Sequence, residues 1–132
     1  MFKRTLVVLT TLLACVFASF STFADAHHDE DGHALVQDAH QPGAKIEFEE
    51  DQDEVYEAVQ KGFVRPFSEM FAAVERDLYG RIIQVELDED DDIWIYELKL
   101  NHNNNIIKVE YNAETLEMLQ IKGRNIKEAL KK

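Results

Sequence analysis

"RIIQVELDEDDDIWIYELKLNHNNNIIKVEY", residues 81–111, is the stretch in which hydrophobicity settles into a period of two. Ile83, Val85 and Leu87 alternate with Gln84, Glu86 and Asp88. Trp94, Tyr96, Leu98 and Leu100 alternate with Ile95, Glu97 and Lys99, and Ile107, Val109 and Tyr111 with Lys108 and Glu110. Successive strand side chains point to opposite faces, so each run predicts a strand with one apolar side. The connections Glu89-Asp90-Asp91 and His102-Asn103-Asn104 are short and rich in turn formers, which predicts hairpins and an antiparallel meander. A shorter fourth strand is expected over Glu117–Ile121.

Upstream the period changes to that of a helix. Phe67, Met70, Phe71, Val74 and Leu78 fall at i, i+3, i+4, i+7 and i+11, one face of a helix that starts near Pro66 and stops at Gly80. A shorter helix is expected from Asp53, as cap, to Lys61, with Gly62 as its stop. One apolar helix face and one apolar sheet face make a two-layer α+β domain. The expected fold is one main helix, plus a short N-terminal helix, packed on a 3–4-stranded antiparallel meander across residues 53–122. Residues 123–132 read as a basic tail.

The amino-terminal end carries a different signal. Met-Phe-Lys-Arg precedes an uncharged run from Leu6 to Phe23, and small residues follow at Ala24 and Ala26. That pattern is a secretory signal over residues 1–26, cleaved after Ala24 or Ala26. Leu12-Leu13-Ala14-Cys15 offers a lipoprotein alternative through Cys15, although the apolar run continues past it. An uncleaved anchor is the third option. Cleavage leaves no membrane span and no cysteine, and places the chain in the periplasm of a Gram-negative envelope.

The 132-residue chain has a net charge of −12, which becomes −14 when residues 1–24 take Lys3 and Arg4 with them. Such a balance disfavours nucleic acid, whose phosphates need cations. Residues 27–52 are acidic, poor in large apolar residues and read as a disordered leader.

Four of the five histidines lie in or beside that leader. A chain beginning Asp25-Ala26-His27 offers a free amine, two amides and an imidazole for Cu²⁺ or Ni²⁺ in a square plane. His28, His33 and His40 add donors for Zn²⁺ without a fixed spacing. The bland alternative is a soluble spacer needing no cofactor. The acidic run Asp88–Asp92 does not fit a calcium loop, since the sixth and twelfth positions are Ile93 and Lys99. No catalytic residues emerge: Ser68 and Thr115 lie far in sequence from the leader histidines, and His102 sits in a polar turn. A non-enzyme is expected.

The order of these pieces resembles a known family. Val85-Glu86-Leu87, Trp94-Ile95-Tyr96-Glu97-Leu98 and Asn112-Ala113-Glu114-Thr115-Leu116-Glu117-Met118-Leu119, in this sequence of elements, are similar to the PepSY domain (peptidase propeptide and YpeB domain). The likeness is to its small exported stand-alone members. Where that family usually has glycine, in the first hairpin and before the last strand, this chain has Asp92 and Leu116. The resemblance implies a binding or regulatory module acting on another envelope protein, such as a protease it inhibits or a sensor it modulates, and no catalytic residues. The alternative, from another class, is an envelope metal-binding protein using the leader.

The sheet's second face suggests where a partner docks. Ile82, Ile93, Ile95 and Ile106 are expected to point away from the main helix. Left uncovered, they form a charge-rimmed apolar patch for a protein partner or a homodimer.

Overall fold

A computed structural model describes residues 31–131. The chain is α+β, with helices on one side of a five-stranded mixed sheet. In chain order the elements are α1 (Gly32–Val36), β1 (Lys45–Phe48), α2 (Gln52–Gln60), α3 (Phe67–Asp77), β2 (Arg81–Asp90), β3 (Ile93–His102), β4 (Asn105–Asn112), β5 (Met118–Gly123) and α4 (Ile126–Ala129). The strands lie side by side in the order β1-β2-β3-β4-β5. The first pair is parallel and the rest antiparallel.

The three long strands arise where the alternation places them. Asp91 and Asp92 (φ 49° and 63°) turn β2 into β3, and Asn103 and Asn104 (φ 49° and 62°) turn β3 into β4. Two successive left-handed residues give a hairpin turn whose twist matches that of the strands, and short polar side chains tolerate that region best. Leu116 is also left-handed (φ 57°), in the turn before β5.

Helix α3 buries Phe67, Met70, Ala73 and Val74, close to the expected stripe, while Phe71 is only half-buried. Its start is capped from a distance. Asp38 accepts hydrogen bonds from the Ser68 amide (2.8 Å) and hydroxyl (2.5 Å), because Pro66 at the helix start has no side-chain acceptor to offer. Helix α2 begins two residues earlier than expected: Asp51, not Asp53, is the cap, accepting from the Glu54 amide (3.0 Å). It ends at Gly62 (φ 79°), where the Phe63 amide reaches back to the Ala58 carbonyl (2.8 Å).

The sheet departs from the expected 3–4 antiparallel strands because β1 adds a fifth, parallel one. Ile46 and Phe48 face the core opposite Val85 and Leu87. From Asp31 onward the acidic leader is therefore structured, not disordered. Asp31 caps α1, Val36 is fully buried, and the His33 ring stacks on Phe48 at 4.0 Å. These few anchors dock a polar segment that could not order alone. The tail is likewise tied down: the Tyr79 amide bonds the Ala129 carbonyl (2.7 Å) and the Lys131 amide bonds that of Asp77 (2.9 Å). Among the described residues no helix is long and apolar enough to cross a membrane. The signal segment and Cys15 lie outside the described residues.

A single core joins these layers. Val36, Val55, Phe67, Met70 and Val74 from the helices meet Val85, Leu87, Tyr96, Leu98, Val109 and Tyr111 from the sheet. Two buried phenols are anchored: Tyr96 donates to the Arg65 carbonyl (2.5 Å) and Tyr111 to the Asp77 carboxylate (3.1 Å). Burial pushes both hydroxyls well above the ordinary tyrosine range, so they remain protonated donors.

Candidate functional site

Five strands each carry a polar–apolar–polar triplet: Lys45-Ile46-Glu47, Gln84-Val85-Glu86, Glu97-Leu98-Lys99, Lys108-Val109-Glu110 and Gln120-Ile121-Lys122. The register aligns their central residues as one inward row, Ile46–Val85–Leu98–Val109–Ile121. Their flanking residues therefore form two outward rows. One is Lys45–Gln84–Lys99–Lys108–Lys122 and the other Glu47–Glu86–Glu97–Glu110–Gln120. The order within the triplet reverses at β3, where the strand direction reverses, and this keeps each sign in its own row.

Helices α1, α2 and α3 all bury their apolar sides in the core on the opposite face, so none of these three covers the rows. Like charges directly opposite one another across a sheet repel. Two ion pairs answer part of this: Lys108 to Glu97 at 2.6 Å and Lys45 to Glu47 at 2.5 Å. Glu47 is held below the usual carboxylate range by its hydrogen bond and charge pairing with Lys45. Among the described residues, Lys99, Lys122, Glu86 and Glu110 close no such pair. Glu86 bears the consequence. Partial burial, a hydrogen bond with Glu49 and the charges of Glu97, Glu49 and Glu47 push its carboxyl up to about 7.

The apolar residues expected on this face are there with one exception. Ile93 and Ile106 are 47% and 51% exposed and Ile95 is half-buried. Ile82 is instead in the core, 6% exposed. The reason is a bulge: Ile82 pairs with Leu100 and Gln84 with Lys99, so Ile83 is the extra residue and the alternation restarts after it. Burying an isoleucine gains about 2 kcal/mol, more than the ~1 kcal/mol of a lost ladder hydrogen bond, so the bulge is favourable.

Of the expected metal donors only His33 and His40 lie among the described residues. Asp25, Ala26, His27 and His28 lie outside the described residues. His33 packs on Phe48 and its Nε2 sits 3.0 Å from the Glu50 carbonyl oxygen, while His40 is exposed in the loop before β1. The run Asp88–Asp92 is divided by the pleat and the turn: Asp88 is opposite Ile95 on the open face, and Asp91 and Asp92 form the hairpin. Among the described residues no group of three or more His, Cys, Asp or Glu is placed to hold a metal ion.

The helical side has shallower features. A cleft of about 360 Å³ beside Trp94 and Phe63 is rimmed by Glu54, Glu57, Glu89 and Asp92. Another, of about 430 Å³, lies between Phe71, Tyr79 and Ile82. The two charged rows are the feature that single-residue reading misses. Their signal is present in the sequence as the five triplets, but it becomes legible only once the turns fix the register. No family model, curated protein or solved structure matches this chain.

Proposed function

We propose that the chain is an exported PepSY-type binding and regulatory module, without catalytic activity of its own, that docks on another envelope protein such as a protease or a sensor. The PepSY reading rests on the order of the sequence pieces quoted above, and the export reading on the amino-terminal signal. The observation that best supports a docking role is the uncovered sheet face. It combines exposed Ile93 and Ile106 with ordered rows of both charges across the sheet. Apolar residues rimmed by charge supply burial and orientation together, which is what a protein interface needs.

Affinity capture from envelope extracts tests this, comparing the natural chain with Ile93→Asp/Ile106→Asp. Both positions are exposed, so the fold tolerates the change while the apolar contact is lost. The expected result is an envelope protein retained by the natural chain and lost with the variant. Equal capture by both, or none by either, contradicts the reading.

A further inference from the structure

Resting on the reading that the open sheet face binds protein, we propose that in the isolated chain a second copy occupies this face, the two sheets stacked about a twofold axis that runs between the lysine and glutamate rows. The rows have the symmetry such a pairing requires. A twofold axis parallel to them, in the plane between two stacked sheets, reverses strand direction but keeps each strand's place across the sheet. Every lysine row then lies over the other copy's glutamate row.

Strand by strand, Lys45 lies over the second copy's Glu47, Lys99 over its Glu97, and Lys108 over its Glu110; the register fixes all three. Gln84 lies over Glu86, with the second copy's Lys45 and Lys99 on the flanking strands. Of the four groups without an intrachain ion pair, Lys99 and Glu110 thus lie over opposite charges, and Glu86 and Lys122, each over a glutamine, have them on flanking strands. The same operation carries the row holding Ile95 onto the row holding Asn101 and Ile106. Ile95 of one copy and Ile106 of the other become diagonal neighbours, so an apolar contact closes each end of the interface.

Charge complementarity selects this occupant. The two rows hold four lysines and four glutamates, so together they are neutral on a chain of net charge −12. A cationic partner finds more acid elsewhere on the molecule, and an anionic one is repelled by the whole. A surface of equal and segregated charges has its best match in its own rotated copy.

The area suffices for a reversible dimer. The lysine and glutamate rows and the rows of Ile95 and Ile106 beside them hold sixteen outward positions; at ~4.8 Å between strands and ~6.7 Å along them these cover roughly 500 Å² per copy, or about 1,000 Å² in all, the threshold of a specific, reversible interface. Attraction between partly exposed charges makes the association salt-sensitive.

Sedimentation velocity on the full chain, with charge-reversal variants, tests this. At roughly 100 µM protein and ~50 mM NaCl a dimer is expected, dissociating as salt rises toward ~0.5 M. Lys99→Glu/Lys108→Glu and Glu97→Lys/Glu110→Lys each place like charges over like, and each is expected to weaken self-association at least about tenfold. An equimolar mixture of the two restores a heterodimer, because every reversed residue then meets its complement. Lys99→Gln/Lys108→Gln, with circular dichroism on all variants, separates weakened pairing from lost folding. A natural chain that is monomeric throughout, a dimer indifferent to both reversals, or a mixture that fails to pair while its components are folded overturns the proposal. A monomeric chain that still captures an envelope protein through Ile93 and Ile106 overturns the second copy while leaving the docking role standing.

Discussion

Glu86 of β2 stands directly opposite Glu97 of β3, with Glu47 and Glu110 extending the row on either side. The arrangement costs folding energy, and the cost depends on pH. The Glu86 carboxyl titrates near 7, above its ordinary 4.5, because burial and neighbouring carboxylates disfavour its charge. The folded chain therefore holds this proton more tightly than the unfolded chain. The associated stability is complete below about 4.5 and is lost as pH rises through 7. Glu86→Gln should stabilise the chain at pH 8 by roughly 0.5–1 kcal/mol, allowing for solvent screening, and have little effect at pH 4. Urea unfolding at both pH values, in dilute protein, checks it; an equal effect at both contradicts the assignment.

The bulge in β2 makes a paired prediction. Ile82→Ala should cost about 2–4 kcal/mol, as for a core isoleucine, whereas Ile83→Ala should cost less than about 1 kcal/mol. Chemical denaturation of the two variants reads the difference. The simple alternation of the sequence requires the reverse order.

Docking of α1 turns on Gly32. A methyl group there would overlap the Gln52 carbonyl oxygen and the Tyr56 amide nitrogen, both backbone atoms that cannot step aside. Gly32→Ala should release α1 and the His33–Phe48 stack at a cost of about 1–3 kcal/mol, while the sheet persists. Hydrogen exchange should then accelerate across residues 33–38 and stay unchanged in β3 and β4. Unchanged protection in α1 would show that this contact does not hold it.

These cases show what the sequence made legible. The 3.6-residue stripe located α3, and the period of two located β2, β3 and β4, because both faces of each element are defined by many residues. The turns fell within a residue of their expected places because Asp and Asn mark them. Strand β1 was missed because four residues with two half-buried apolar side chains give almost no periodic signal. The bulge was missed because it shifts register without changing composition, and that alone moved Ile82 from the surface to the core. The charged rows were hidden for a related reason: they are a property of pairing between strands, not of any strand.

The central claim, that the open sheet face is where this chain meets protein, is tested most directly by site-specific photo-crosslinking in intact exporting cells. A photoreactive residue at Ile106 reports on the open face, and one at the exposed position Glu75 on α3 reports on the helical side. The account predicts discrete protein adducts from Ile106, whose masses separate a second copy from another envelope protein, and few or none from Glu75. Adducts from Glu75 alone, or none from either position in a folded, exported chain, would contradict it.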